Sequence, residues 1–335
     1  MGVETTHVRV RPSGREFVVE RNDTLLEAAL RTGLSLSYGC SNGNCGQCRA
    51  KLLSGEVRKI RHYDYVLTEA EKNTGVFLMC CNAAVTDLEI EAGEAHSAAD
   101  MPLQNIAARV KAVSPLSADM RLLHLQTPRG NRLRFLAGQS VSLTLTDGTT
   151  ASCPVASCPC DDRNLEFHIE RRPGGAFSEA VFNRLKTADT VRVEGPRGEF
   201  VLNEASDRPL IFVACGSGFA PVKSLIEHAI ALDAPAALEL YWIASGTSGH
   251  YLSNLCRSWA DALDSFRYVP VTVEALLSQQ AVREALARML QHHSDLDGYD
   301  VYVAGPEPLA HGAERLLLER GLARPQLFVN RLPAS

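Results

Sequence analysis

Apolar side chains recur at every second position in the first residues of the chain. "THVRVRP" and "REFVVER" show this alternation on either side of a turn at Pro12–Gly14, so the two segments read as a β-hairpin. "NDTLLEAALRTG" shifts to helical spacing, with Asn22 or Asp23 near its cap and Gly33 at its stop. "DLEIEAG" is the closing strand of this region. Residues 96–104, "HSAADMPLQ", are small and polar with a proline and read as a linker. Short strand-like runs follow: "IAARVKAVSPL", "MRLLHLQTP", "SVSLTLTD", "NLEFHIERR" and "DTVRVEGPRGEF". Strands of this length, punctuated by Gly and Pro, predict a small closed sheet, interrupted by one helix at roughly 177–186. From residue 208 the pattern changes again. "RPLIFVACGSGFAPVKSLIEHAIAL" is an apolar strand, a glycine turn and a helix. "LELYWIA", "FRYVPV" and "DVYVAGP" supply further strands, and "AVREALARMLQHH" and "PLAHGAERLLLERG" further helices. Strands alternating with helices predict a doubly wound parallel α/β sheet whose ligand sits beyond the carboxyl ends of the strands. The chain therefore divides into domains at 1–95, 104–204 and 207–335.

Composition narrows the class. The 335 residues suit two or three domains, and 45% apolar with 22% charged residues is ordinary for a soluble globular chain. A formal net charge of −5, with neither a helix-turn-helix nor a basic arm, argues against direct nucleic-acid binding. No stretch approaches the roughly 18 apolar residues of a membrane span, and no early apolar run resembles a signal peptide. A cytoplasmic location is the expectation. Ten cysteines are many for such a chain, and in a reducing compartment the dense ones predict a metal site rather than structural disulfides.

Three of them lie in "YGCSNGNCGQCRA". Cys40, Cys45 and Cys48 have the spacing C-x4-C-x2-C, and Cys80 follows after 31 residues. Gly43 and Gly46 between them permit tight turns that bring backbone N–H groups toward sulfur. Zinc would more often show two close pairs, and reading "CGQC" as a thiol redox motif ignores Cys40. The spacing is that of a plant-type [2Fe–2S] ligand set. Over its whole length the first domain resembles a plant-type ferredoxin, a β-grasp α+β fold. Alignment of "FLMCC" with that family's pattern implies Cys80 as the fourth ligand and leaves Cys81 as a neighbouring core thiol.

The other two domains resemble the ferredoxin–NAD(P)⁺ reductase superfamily, in particular the reductase components of bacterial Rieske dioxygenases and related monooxygenases. The likeness is carried by "HIERRPGGAFSEAVFNRLKTADTVRVEGPRGEF" and by Gly216-x-Gly218-x-x-Pro221. It implies a small β-barrel that binds FAD, with His168, Ile169, Gly174, Gly175, Phe177 and Ser178 on the flavin side. Gly174, Gly175 and Ser178 stand where the pyrophosphate meets a helix start. It also implies an α/β nicotinamide domain whose dinucleotide turn holds Gly216, Gly218 and Pro221. His168 reads as a strand residue near the flavin, not a general base.

Several motif positions depart from the family. In "ASCPVASCP", Ala151, Cys153 and Pro154 stand where the family has arginine, an aromatic residue and a hydroxyl. Losing one charge-assisted contact to phosphate removes about 1.5–3 kcal/mol. Ala304 in "VAGPEP" replaces a cysteine, Glu307 adds charge, and Trp242-Ile243-Ala244-Ser245 lacks the usual glycine and basic residue. The tail "QLFVNRLPAS" lacks the acidic-then-aromatic ending. Cys153, Cys158 and Cys160 read as buried small thiols in a substituted loop rather than a metal site. His292, His293 and "RKIRH" at 58–62 read as solvated surface.

Two functions fit. In one, the chain is an iron–sulfur flavoprotein with an impaired NAD(P)H site that acts as a redox-sensing co-regulator of aromatic catabolic genes, through a transcriptional regulator protein. In the other, it is an NADH-dependent electron-transfer reductase serving a Rieske-type ferredoxin or an oxygenase. The departures together lean toward the regulator. Cofactors are a [2Fe–2S] cluster and FAD, with use of NAD(P)H left open.

Overall fold

The computed structural model describes residues 5–20, 22–233, 237–245, 249–274, 279–293 and 295–332. The last three residues of the tail quoted above, 333–335, lie outside the described residues.

The first domain holds β1 (Thr5–Arg11), β2 (Glu16–Glu20), α1 (Leu25–Arg31), β3 (Arg49–Ser54), β4 (Val57–Lys59), α2 (Glu69–Asn73), β5 (Val76–Leu78), β6 (Asn82–Ala84) and β7 (Leu88–Glu91). The expected hairpin is present, with Val8 opposite Phe17 and His7 opposite Val18. Strand order is β2-β1-β7-β3-β5, and β7 runs parallel to β1 in the middle of the sheet. This central parallel pair is the β-grasp arrangement. Val8, Val10 and Ile90 face α1, whose Leu25, Leu26 and Ala29 complete the core. The cap of α1 is neither Asn22 nor Asp23 but Thr24, whose hydroxyl accepts from Glu27 N at 3.2 Å. Asp23 instead pairs with Arg31 one helix length away. The strands β3 to β6 and helix α2, which the apolar pattern did not announce, enclose the cysteine loop. Helix α2 rests on a capping box between Thr68 and Glu71.

The second domain is a six-stranded sheet of β8 (Gln104–Pro115), β9 (Met120–Gln126), β10 (Ser140–Thr144), β11 (Thr150–Pro154), β12 (Asn164–Glu170) and β13 (Thr190–Arg197), with α3 at Ala176–Asn183. The order β11-β10-β13-β8-β9-β12 leaves β11 and β12 at the ends. The chain just beyond β11 then bonds β12, with Ala156 N donating to Glu166 O at 2.8 Å, which draws the sheet toward a barrel. The segment read as a substituted loop is thus partly strand β11, in which Cys153 opposes Val141 and Pro154 opposes Ser140. Proline is tolerated there because β11 is an edge strand at this position.

The third domain is a parallel sheet of β14 (Leu210–Cys215), β15 (Leu238–Ala244), β16 (Phe266–Thr272), β17 (Asp300–Pro306) and β18 (Leu327–Leu332), ordered β16-β15-β14-β17-β18. Helices α4 (Phe219–Ala231), α5 (Ser253–Ala262), α6 (Gln279–His292) and α7 (Glu307–Glu319) complete it. The order reverses between β14 and β17, and the glycine turn at 216–218 lies at that switch point. The chain's tail is β18, parallel to β17. His293, expected at the surface, is buried and meets Glu239 at 3.0 Å, while His292 stays exposed and meets Tyr241 Oη at 2.9 Å. Among the described residues no helix is long and apolar enough to cross a membrane.

Candidate functional site

The cysteine loop is shaped by positive φ. Ser41, Gly43 and Gly46 adopt φ of 54°, 85° and 72°. A Cβ on Gly43 would meet Tyr63 Cβ at 2.4 Å and Cys81 Sγ at 2.8 Å, and one on Gly46 would meet the Tyr65 ring at 2.4 Å. The turns aim backbone N–H groups at sulfur. Asn44 N and Cys45 N each donate to Cys40 Sγ at 3.3 Å, and Cys40 N donates to Cys45 Sγ at 3.2 Å. Cys48 Sγ lies 3.1 Å from Cys80 Sγ. Cys81 Sγ is 3.5 Å from Cys80 but points to His62 O at 3.8 Å. The Cys48 thiol is pushed well above its ordinary range by its hydrogen bond to Cys80 and by burial. Four sulfurs held together and surrounded by aimed N–H groups fit a cationic iron core that takes them as thiolates.

The second site is a cavity of about 260 Å³ at the mouth of the barrel. Strand β11 lines it with Ala151, Cys153 and Pro154, strand β12 with His168 and Ile169, and the start of α3 with Gly175, Phe177 and Ser178. Ser217 and Leu332 bring the third domain to the same cavity. Of the expected flavin-side residues, only Gly174 is not in the lining. It forms the turn before α3 with φ 75° and has open space around it. Helix α3 starts at Gly175 with no side-chain cap, so its first N–H groups are available to an anion. The Ser178 hydroxyl is turned into the loop. It donates to Arg172 O at 3.2 Å and Gly175 O at 3.0 Å, and accepts from Arg172 N at 3.1 Å. It shapes the loop beneath the cavity.

Two residues outside the motif reading also belong here. Arg172 lines the cavity, and its charge reaches Cys153, whose thiol burial nonetheless pushes up to about 12. A cation is therefore present although Ala151 supplies none. Glu170 ends β12 and accepts from Ser217 Oγ at 2.8 Å, a bond between the barrel and the nicotinamide-type turn. The signal for both was the charged run "ERR" after the strand, which surface charge alone explains equally well. His168 Nδ1 contacts Tyr251 Oη at 3.0 Å, while its buried Nε2 has no hydrogen-bond partner among the described residues. Burial, helped by Lys223, pushes this imidazole down to about 3. A neutral ring with an orphaned nitrogen at the cavity wall fits a bound polar ring system such as a flavin.

At the switch point, a Cβ on Gly218 would sit 2.1 Å from Ala304 O, so the turn packs directly on β17. Ala304 is wholly buried against this turn. Pro221 lies in the first turn of α4 and is buried. Glu307 is exposed at the first position of α7, where a negative charge suits the helix dipole. Trp242 is fully buried, stacks on Phe219 with 3.9 Å between ring centroids, and donates to Gly216 O at 3.3 Å. Ala304 and Trp242 thus have packing roles, and Glu307 suits a helix start. The three cysteines at 153, 158 and 160 do not form one group. Cys153 belongs to the barrel core, whereas Cys158 and Cys160 are joined by a disulfide on a turn facing the other domains. The expectation of free buried thiols fails for that pair, because a short turn at Pro159 brings the two side chains to one side.

Comparison with known proteins gives the same three-part order. The 2Fe-2S iron-sulfur cluster binding domain family matches residues 8–86, the oxidoreductase FAD-binding domain family 107–202 and the oxidoreductase NAD-binding domain family 212–315. The CDP-6-deoxy-L-threo-D-glycero-4-hexulose-3-dehydrase reductase of Yersinia pestis is 30% identical over 331 residues, covering 96% of this chain and 97% of that protein. Reductase component 1 of terephthalate 1,2-dioxygenase from Comamonas sp. is 30% identical over 320 residues, covering 94% of each. The crystal structure of the Amycolatopsis cytochrome P450 reductase GcoB superposes with a TM-score of 0.62 at 25% identity, covering 98% of this chain and 99% of that one. With a [2Fe–2S] domain, an FAD domain and an NAD(P)H domain in one chain, this protein belongs to the iron–sulfur flavoprotein reductases of the ferredoxin reductase superfamily.

Proposed function

We propose that the chain is a nicotinamide-dependent electron-transfer reductase that feeds single electrons to a separate protein, an oxygenase or a ferredoxin serving one. The observation that carries this reading is the cavity itself. It is walled by the barrel on one side and by Ser217 and Leu332 of the nicotinamide-type domain on the other. That is the place where a hydride donor and a flavin ring must meet. FAD would supply the conversion of a hydride pair into single electrons.

The chain's own residues do the positioning. The N–H groups of the first turn of α3, just after Gly175, would hold the pyrophosphate, with the turn at Gly174 left open for it. Arg172 takes over the cationic role that Ala151 lacks. Ile169 and Phe177 exclude water from the ring. His168 stays neutral, so it offers its orphaned Nε2 as a hydrogen-bonding group and not as a proton source. The Gly216–Gly218 turn and Pro221 receive the dinucleotide at the switch point. Cys40, Cys45, Cys48 and Cys80 hold the cluster, and Cys45, exposed at the surface, marks the side open to a partner.

The relatives' names support this reading over the redox-sensing co-regulator. The regulator rested on the departures in the flavin motif and at both nicotinamide segments together. Packing accounts for Ala304 and Trp242, Glu307 suits its helix start, and Arg172 supplies a cation beside Ala151. Anaerobic titration with NADH, then NADPH, with dithionite as control, tests the proposal. Flavin and cluster absorbance that bleaches within seconds on one nucleotide supports it. Bleaching by dithionite alone overturns it and returns the regulator to the front.

A further inference from the structure

Cys158, Cys160 and His228 lie far from the cluster loop in sequence and outside the flavin cavity. Their donor atoms all fall within 4.8 Å of one another. The cysteines stand on the turn after β11, and His228 is on α4, so the group bridges the second and third domains. The same turn packs against α1 of the first domain. All three domains meet here.

The histidine is held in a particular way. It is 1% exposed, and its Nε2 lies 3.2 Å from Glu204 Oε1. Glu204 is also ion-paired to Arg15 at 2.5 Å. A carboxylate on Nε2 fixes the proton there and leaves the Nδ1 lone pair free. That lone pair faces Cys158 Sγ at 4.0 Å. A carboxylate–histidine pair aimed at sulfur is the arrangement that orients imidazole toward a metal.

We propose that the dithiol form of Cys158 and Cys160, with His228, is a binding site for a thiophilic divalent cation of the zinc type. Two thiolates and one neutral imidazole suit zinc, leaving a fourth position for water. Charge balances in the buried junction. The cation is cancelled by two thiolates, and Glu204 is cancelled by Arg15. The site forms in two steps. A phosphine reductant cleaves the disulfide and becomes its oxide with oxygen from water, while both sulfurs leave as thiols. Each thiol then gives up one proton as its sulfur bonds the cation. Bound there, the cation ties the barrel turn to α4.

The test uses the full chain with cluster and flavin in place. Oxidised and phosphine-reduced samples are equilibrated with zinc and dialysed without oxygen, and zinc and iron are measured on each. The reduced wild type is expected to retain about one zinc per chain more than the oxidised protein. Cys160→Ser, at a half-exposed position, is expected to abolish the difference. Glu204→Gln leaves every ligand in place and is expected to weaken binding by about 10–100-fold. Equal zinc in the oxidised and reduced wild type overturns the site, and that comparison needs no variant. So does zinc that rises as iron is lost, or uptake unchanged in Cys160→Ser.

Discussion

His168 shows how one side chain couples the fold to solution conditions. Its imidazole is enclosed by Phe219 and Tyr251, with ring centroids at 6.2 and 5.3 Å. The folded pKa of about 3 lies below the ordinary value of 6.5. The unfolded chain therefore binds a proton at this position between those two values while the folded chain does not. Stability contributed by the neutral ring is complete above pH 6.5 and is lost as the pH falls through the window toward 3. The slope is at most about 1.4 kcal/mol per pH unit. We expect the thermal midpoint of His168→Gln to fall less than that of the wild type between pH 7.5 and 5.5. Parallel pH profiles would mean that the ring is protonated in the folded protein. Sequence alone placed this histidine on a strand near the flavin. It did not reveal the enclosure, because Tyr251 and Phe219 reach His168 only when the third domain packs on the barrel.

At the level of elements, β12 and α4 are joined by a buried lysine. Lys223 is 6% exposed and meets Glu166 at 3.1 Å, Glu227 at 2.8 Å and the carbonyl of Ala156 at 3.2 Å. The lysine stem packs along the helix while its charge crosses to the barrel. Burial raises the Glu227 carboxyl despite the attraction of Lys223, so removing the lysine leaves an acid with only the Cys158 backbone N–H to offset its desolvation. Lys223→Met keeps the stem but not the charge. It is expected to cost about 3–5 kcal/mol, the penalty for breaking a buried pair on one side. Denaturant unfolding followed by flavin fluorescence would measure it, and a loss below 1 kcal/mol would show that water reaches the carboxylates. The periodic elements were legible from their own residues: β1, β2, β14 and α4 all carry the apolar face that defines them. Strand β11 and helix α5 were not. Strand β11 is short, ends in proline and is held mainly by β10. In α5 only Cys256 is fully buried and half of the residues are polar, so few apolar positions announce it. The cysteine spacing was legible because metal geometry constrains sequence distance. Arg172 was not, since nothing local distinguishes a cavity arginine from a surface one.

For the molecule as a whole, electron delivery depends on how the cluster domain is fixed to the barrel. Tyr38, two residues before Cys40, donates to Asp162 Oδ2 at 2.6 Å. Asp162 is buried and also meets Arg132 Nη1 at 3.2 Å. Arg134 lies over the Tyr38 ring at 5.3 Å. One tyrosine thus links the loop that carries the thiols to two arginines and a carboxylate of the barrel. Burial works to raise the Asp162 carboxyl, so the Tyr38 and Arg132 donors are what keep its charge tolerable. Tyr38→Phe removes one donor and keeps the ring. A buried acceptor left short of a donor costs about 1–3 kcal/mol. The cost falls on the joint, not on the core of either domain, because the ring still packs beneath α1. The expected result is faster proteolytic cutting within residues 96–104, with the visible spectra of cluster and flavin unchanged. Reduction of the cluster after flavin reduction should also slow and spread into several phases, since a loosened joint samples several distances. Bleached cluster absorbance in the resting variant would instead place the role of Tyr38 within the cluster loop. Unchanged cutting and unchanged kinetics would mean that Arg15, Glu204 and the contacts of α1 hold the domains without it.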